Sequence, residues 1–363
     1  MYKAGDAIFD SGGEGIVYKV EGHPNLLYKE YKPGRMNLAL ANKLRYMPSN
    51  RPVISDGNSN FAWPESLAED PNGQPLGFIM PLLKFDFKLD SVYEYIRPWR
   101  LPLNYCMKDL YKSRIVVARN VCVMVHIAHE NKIVIGDFNH NNMGVHRNTG
   151  FVSMFDCDSF HLNNGQYRCC VGMPGYIAPE LLKHLLGGTT NDYARAQLPT
   201  FTVETDLFAL GVHIFRLLMN GVNPFNGIDT SLKSSSASVG AGDEPIIKGR
   251  YCFKGSLLRF LYKPKSPLVP PIHILTDTLK DYFHRTFVGP KENRPSPGDW
   301  IYALDTYRGY LKQCNSSIAH WYHRGLTKCP WCEADSRQKA VDENRTKPNF
   351  TIKRIPSMLH EFR

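Results

Sequence analysis

Two short apolar runs, Ile133-Val134-Ile135 and Val152-Ser153-Met154-Phe155, each end in residues too polar to serve packing. The first leads into Gly136-Asp137-Phe138-Asn139-His140-Asn141-Asn142, the second into Asp156-Cys157-Asp158. Runs of this length and composition predict strands. An acid, an amide and a second acid on neighbouring strand ends can hold a hard divalent cation through oxygen, with positions left for phosphate and water. That requirement constrains the fold more than any other feature, because three polar side chains far apart in sequence must meet on one rim.

The rest of the chain supplies two unequal surroundings for that rim. Up to about residue 83, short β-like runs alternate with turns: Gly15-Ile16-Val17-Tyr18-Lys19-Val20, Leu26-Leu27-Tyr28-Lys29 and Gly77-Phe78-Ile79-Met80. One helical pattern, Met36 to Met47, interrupts them, which predicts a small α+β lobe. Helices dominate from about Ser91, beginning with an amphipathic stretch from Tyr111 to His129. Asp206 to Met219 is apolar around nearly its whole circumference, the pattern of a helix enclosed on all sides. A chain of 363 residues with 43% apolar side chains has enough material to enclose one. The expected fold class is therefore α+β and bilobal, with residues 1–83 as the smaller lobe and 84–312 as the larger. Ser234 to Gly242, small and unpatterned, reads as a loop.

Beyond residue 312 the chemistry changes. In Cys329-Pro330-Trp331-Cys332 two thiolates can grip one ion, and Cys314 with His320 upstream completes a closed tetrahedral zinc site; His323 is the alternative fourth ligand. Such a site has no open position, so it serves folding or docking. The module is placed at 313–333, and the charged stretch 334–363 is expected to be flexible. Nine cysteines, odd in number and irregularly spread, do not form a disulfide framework. No apolar run has the length of a membrane span and no apolar leader opens the chain, so a cytoplasmic protein is expected. The net charge of +10 is concentrated between Lys248 and Arg294, where ten Lys and Arg face three acids. That face is either simply solvated or docks an acidic protein; nucleic acid is not the expected partner.

Near the start, Ser11-Gly12-Gly13-Glu14-Gly15 lets a backbone approach phosphates closely, because glycine has no Cβ to hold it off. Lys29, alone in an apolar strand twelve residues past Val17, needs an anion to stay charged, and a triphosphate would supply one. In chain order these features resemble the protein kinase signature set. That resemblance implies Asp137 as the base that accepts a hydroxyl proton, Asn142 and Asp156 as ligands of Mg2+ or Mn2+, and Lys29 on the phosphates of ATP. It also implies Gly12, Gly13 and Gly15 over the phosphates, Val17 over the adenine, Met80 at the gatekeeper position and Leu83 as the source of hinge hydrogen bonds. Asp158 either adds a metal ligand or faces solvent. Ile177-Ala178-Pro179-Glu180 resembles the end of the activation segment, and Arg294 the late arginine that pairs with Glu180.

Several positions depart from that pattern. Ile135 and Gly136 replace the histidine and arginine before the base, which argues against activation by loop phosphorylation. Asn139 stands among the catalytic positions where a lysine would neutralise the transferring phosphate. The helix from Met36 to Met47 carries no glutamate, so the partner of Lys29 is unidentified, and Met173 leaves the choice of hydroxyl open.

Gly-Gly-Glu-Gly, Gly-Asp-x-Asn, Asp-Cys-Asp-Ser-Phe and Cys-Pro-Trp-Cys together resemble a bacterial family of atypical kinases with YegI-like domains, over about residues 8 to 333. These kinases are associated with a PP2C-type phosphatase and a TerY-type von Willebrand A protein in tellurite-resistance or stress-response clusters. The resemblance implies an ATP- and Mg-dependent protein kinase acting on Ser or Thr hydroxyls, its own included, in stress signalling, with structural zinc, a protein substrate and those two partners. A nucleotide-binding pseudokinase scaffold and a small-molecule phosphotransferase are the alternatives. Zinc content of the purified protein tests the end module: about one equivalent per chain is expected, and less than half an equivalent would remove it.

Overall fold

The computed structural model describes residues 2–9, 13–52, 60–93, 110–169, 171–185, 200–229, 243–253, 262–264 and 269–346. The first lobe is a five-stranded antiparallel sheet in the order β1-β2-β3-β5-β4. Its strands are β1 (Ala4–Phe9), β2 (Gly15–Val20), β3 (His23–Tyr31), β4 (Ser66–Glu69) and β5 (Pro75–Pro81). A two-residue turn, Glu21-Gly22, joins β2 to β3, and Gly22 sits at φ +72, a conformation glycine adopts without penalty. Alternation along β3 buries Leu27, Lys29 and Tyr31 on one face, which puts a lysine among core residues. Helix α1 (Leu38–Tyr46) crosses between β3 and β4; the Asn37 side chain caps it by accepting from the Leu40 N–H at 2.9 Å. It occupies the middle of the predicted Met36 to Met47 span.

The larger lobe begins with β6 (Phe87–Lys88), α2 (Leu89–Tyr93) and α3 (Tyr111–Glu130). Strands β7 (Met143–Val145) and β8 (Val152–Met154) pair with β6 in the order β6-β7-β8. The predicted strand at Ile133–Ile135 is a correction: only Val134 makes a β-bridge, to His161, because this segment is held from below by a side chain instead of by a neighbouring strand. Helix α4 (Pro179–Leu185) leads towards α5 (Val203–Leu218), which starts at a Thr202/Thr205 capping box and starts three residues ahead of the predicted Asp206. Phe208, Leu210, Val212, Ile214, Phe215, Leu217 and Leu218 of α5 are fully buried, the enclosed helix that its apolar circumference predicts. Around it pack α3 and, after the short α6 (Glu244–Ile247) and the pair β9 (Gly227–Asp229) and β10 (Tyr262–Pro264), α7 (Asp277–Phe287); α8 (Pro297–Gly309) packs on α3 and α7. The loop expected at Ser234 to Gly242 and parts of the basic stretch lie outside the described residues. The architecture is α+β and kinase-like, as the sequence pattern implies.

A hairpin of β11 (Leu311–Cys314) and β12 (Ser317–His323) follows, then α9 (Pro330–Thr346). The expectation of a flexible stretch from 334 is corrected here: residues 334–346 continue a helix that starts inside the Cys329–Cys332 knuckle, because Trp331, Ala334 and Asp335 are buried against the hairpin and its surroundings. Residues 347–363 lie outside the described residues.

Arg294 ties the far end of this lobe to α4. Its guanidinium donates to both Glu180 oxygens at 2.6 and 2.9 Å and to the Glu204 carbonyl at 2.8 Å, and lies 5.3 Å from the centre of the Phe208 ring. The arginine side chain is 2% exposed and that of Glu180 27%, so loss of the glutamate would strand a buried cation. Glu180→Gln is expected to lower unfolding free energy by roughly 2–3 kcal/mol, read by urea denaturation; a change under about 0.5 kcal/mol would contradict this account.

Candidate active site

The loop between α3 and β7 is fixed from beneath by one buried carboxylate. Asp206, in the first turn of α5 and 1% exposed, accepts the Ile135 N–H at 2.7 Å, the Gly136 N–H at 3.0 Å and a hydrogen bond from His129 Nε2 at 3.0 Å. Gly136 sits at φ +77, and a Cβ there would lie 2.7 Å from the Cys169 side chain. The position that is arginine in the protein kinase pattern is therefore closed to any side chain by both backbone and neighbour. The buried His213 of α5 adds a second brace, its Nε2 within 3.1 Å of the Phe138 carbonyl and its Nδ1 against the Tyr93 hydroxyl; burial first, and the nearby Arg216, push its pKa well down, so it is neutral.

On this platform Asp137, Asn142 and Asp156 meet. Asn142 Nδ2 donates to the Asp137 carbonyl at 3.2 Å and approaches Asp137 Oδ2 at 3.5 Å, while the Asn142 carbonyl accepts the Phe155 N–H at 2.8 Å, one residue before Asp156. Asp137 Oδ1 is buried with no hydrogen-bond partner among the described residues. A buried acceptor without a donor is costly unless a ligand supplies one. Burial pushes the Asp137 carboxyl above its usual range, with the Asp156 charge helping; the amides of Asn139, Asn142 and Met173 pull it back only in part. Asp156 occupies the left-handed region at φ +51 and leaves its side chain 56% exposed. These oxygen donors suit a hard cation: a half-exposed carboxylate, and an amide whose nitrogen already serves Asp137.

Lys29 reaches the same place from the small lobe. Its ammonium lies 2.8 and 3.1 Å from the two Asp158 oxygens and 3.2 Å from Asp156 Oδ1. Burial alone would lower the lysine pKa, yet the Asp158 and Asp156 charges outweigh it and hold the lysine protonated. Asp158 is 4% exposed and also accepts from the Tyr31 hydroxyl. Burial opposes its ionisation too, and Lys29 with Tyr31 more than compensates, so its pKa is lowered. The expectation that Asp158 joins a metal or faces solvent is not what the geometry presents, because its oxygens are committed to Lys29 and Tyr31. Asn139, grouped with the catalytic residues by sequence, is likewise turned inward: its Oδ1 accepts the Asn141 N–H at 2.9 Å and its Nδ2 donates to the Asp137 carbonyl at 3.3 Å. It braces the loop.

Of the proposed nucleotide contacts, Val17 pairs directly with Lys29 across β2 and β3 and packs on the core, Met80 is buried on β5 and Leu83 is half-buried past its end. Gly15 is required by packing, since a Cβ there would stand 2.4 Å from the Glu30 carbonyl oxygen; Gly13 faces open space, and Gly12 lies outside the described residues.

No family model matches the chain. Among curated proteins, Protein kinase YegI of Escherichia coli strain K12 is 30% identical over 336 residues, which cover 90% of this chain and 48% of that protein. Protein kinase YegI of Escherichia coli O157:H7 is 29% identical over the same share. The chain is thus similar to YegI over most of its own length. It spans about half the length of those relatives.

The second cluster lies at the other end of the molecule. Ligand atoms of Cys314, His320, Cys329 and Cys332 all fall within 4.8 Å of one another. Cys314 Sγ is 3.5 Å from Cys332 Sγ, and His320 Nδ1 is 3.5 Å from Cys332 Sγ and 3.7 Å from Cys329 Sγ. These spacings approach the roughly 3.8 Å between sulfurs of a tetrahedral zinc thiolate site. The Cys314 thiol, pushed up by partial burial, is drawn down to about 7 by the Ser316 N–H and the neighbouring Cys332, and so is ready to ionise. His320 Nε2 faces Asp335 Oδ2 at 3.2 Å, which orients Nδ1 at the thiols. His323 is engaged elsewhere: its Nδ1 accepts the Gly325 N–H and its ring lies parallel to Tyr307. The donor set fits zinc.

Sequence reasoning missed Asp206 as a loop anchor, Tyr31 and Asp335. Asp335 carried a usable signal, since it lies three residues past Cys332, nearly one helical turn on. Replacing Asp335 with Asn is expected to weaken metal retention about 10-fold or more against a competing chelator, monitored by a zinc-sensitive dye; unchanged retention would sever the pair from the metal.

Proposed function

We propose that this chain is an ATP- and divalent-metal-dependent protein kinase that phosphorylates Ser or Thr hydroxyls, its own among them. The observation that carries this reading is the buried Asp137 Oδ1, without a hydrogen-bond partner among the described residues, on the same rim as Asn142, Asp156 and Lys29. Asn142 and Asp156 would hold Mg2+ or Mn2+, which supplies charge neutralisation on the triphosphate. A hydroxyl docked against Asp137 would donate to Oδ1, and that oxygen would take the proton as the hydroxyl oxygen bonds to the γ-phosphorus and the bond from that phosphorus to the β–γ bridging oxygen breaks, with ADP leaving with the electron pair. Lys29 offers positive charge to the phosphate oxygens. Val17 and Met80 provide an apolar bed for a base.

The Cys314, His320, Cys329 and Cys332 cluster would hold structural zinc and fix the end hairpin. A cytoplasmic setting in bacterial stress signalling, with a PP2C-type phosphatase and a von Willebrand A protein as partners, is part of this proposal and rests on the resemblance to YegI-like kinases. The excess of Lys and Arg in the sequence between Lys248 and Arg294 would favour an acidic protein as a partner. Among the described residues no helix is long and apolar enough to cross a membrane.

A pseudokinase reading draws on Asn139, which brings no positive charge to the transferring phosphate. Asp137→Asn separates the two: for the enzyme, kcat for transfer of labelled phosphate from ATP to protein falls about 10²–10⁴-fold with nucleotide affinity retained. Nucleotide binding with no transfer by the wild type, under Mg2+ or Mn2+, would leave the scaffold, and label on small molecules alone would indicate the third reading. Because Asp137 acts ionised and its pKa is raised, kcat/KM should fall as pH drops through a value above the ordinary carboxylate figure of about 4. An acid limb at or below that figure would speak against Asp137 as the base.

A further inference from the structure

We propose that Asp158 is the positioning residue for Lys29, and that this chain therefore sets its phosphate-binding lysine from the metal-side segment and not from helix α1. The inference rests on the kinase reading above and concerns which residue prepares the lysine for nucleotide.

Three observations converge. The sequence of α1, Leu38–Tyr46, contains no acidic residue, and its buried polar side chain is Lys43, which lines the same cavity of about 440 Å3 as Asp158 and Tyr31. A helix that presents a cation towards this cavity cannot offer a counter-ion to Lys29. Asp158 does so with both oxygens, at 2.8 and 3.1 Å from Nζ, whereas Asp156 offers one oxygen at 3.2 Å from a side chain that is 56% exposed. The two carboxylates of Asp-Cys-Asp are thereby divided by environment: one is enclosed and saturated by cation and hydroxyl, the other remains open to solvent and to a metal. Tyr31 completes the arrangement. Two residues from Lys29 on the same face of β3, it donates to Asp158 Oδ2, and its ring lies 5.4 Å from the ammonium, with Phe78 at 5.7 Å.

The linkage has a mechanical meaning. Cys157, between the two acids, is completely buried, and Asp156 through Ser159 form a tight turn closed by Ser159 N–H to Asp156 carbonyl at 3.0 Å. Lys29 is thus tied through its ammonium to the segment that bears Asp156 and Asp158.

The test measures binding of a magnesium-complexed fluorescent ATP analogue by anisotropy, with wild type, Asp158→Asn, Lys29→Met, the double variant and Tyr31→Phe. Because Asp158 acts through Lys29, Asp158→Asn should weaken binding about tenfold or more. It should leave the magnesium concentration at half-maximal binding unchanged, and cause no further loss once Lys29 is methionine. The double variant removes both charges and so is expected to fold even where Asp158→Asn leaves the buried lysine with Asp156 as its remaining carboxylate partner. Tyr31→Phe, which keeps the carboxylate, should weaken binding by about two- to fivefold, again only while Lys29 is present. A shifted magnesium midpoint in Asp158→Asn, or additive losses in the double variant, would overturn the assignment and make Asp158 a metal contact, with the kinase reading intact. Failure of the wild type to bind the nucleotide would instead overturn the kinase reading, and this role with it.

Discussion

The carboxylate of Asp206 is the joint on which the site hangs. A buried anion is tolerated only when its lone pairs are filled, and here two backbone N–H groups and a histidine fill them. The same bonds fix the peptide planes of Ile135 and Gly136, and so the direction in which Asp137 leaves the loop. Since Asp206 lies in the first turn of the most enclosed helix of the molecule, the position of the candidate base is inherited from the core of the larger lobe. The helix N-terminus adds favourable polarity for the negative charge it carries.

Departures from the usual kinase pattern fit together once the packing is seen. Gly136 leaves no room for an arginine, because Cys169 fills the space where its Cβ would stand. Asn139 uses both ends of its amide to shape the turn that presents Asp137 and Asn142. The missing glutamate of α1 is matched by an extra aspartate two residues beyond Asp156, with a lysine on the helix itself. Each substitution is local, and each has a counterpart within a few ångströms.

Much of this was legible in the sequence. The enclosed helix announced itself by apolarity on every side, the rim residues by acids and amides at strand ends, and the end cluster by ligand spacing. What escaped were contacts between segments far apart in the numbering. The partner of Lys29 could not be found by searching α1, because the pairing is 129 residues away in sequence and follows no periodicity. The helical character of 334–346 was hidden by its charge: with so few apolar residues the helix is decided by anchoring at Trp331 and Asp335, a tertiary effect that composition does not report. Ile133–Ile135 looked like a strand for the converse reason, since Ile133 and Ile135 are buried while the backbone partners of the segment are the Ala128 carbonyl, the Asp206 carboxylate and one bridge.

The end cluster bears on more than its own hairpin. Trp331 sits inside the ligand knuckle, donates its indole N–H to the Trp321 carbonyl at 2.7 Å and lies 4.5 Å, ring centre to ring centre, from Tyr111, the first residue of α3. Near the other end of that 20-residue helix, His129 reaches Asp206. The ligand knuckle and the joint beneath Asp137 thus rest on opposite ends of one helix, so the packing that seats Trp331 also seats the rod that brings His129 to Asp206.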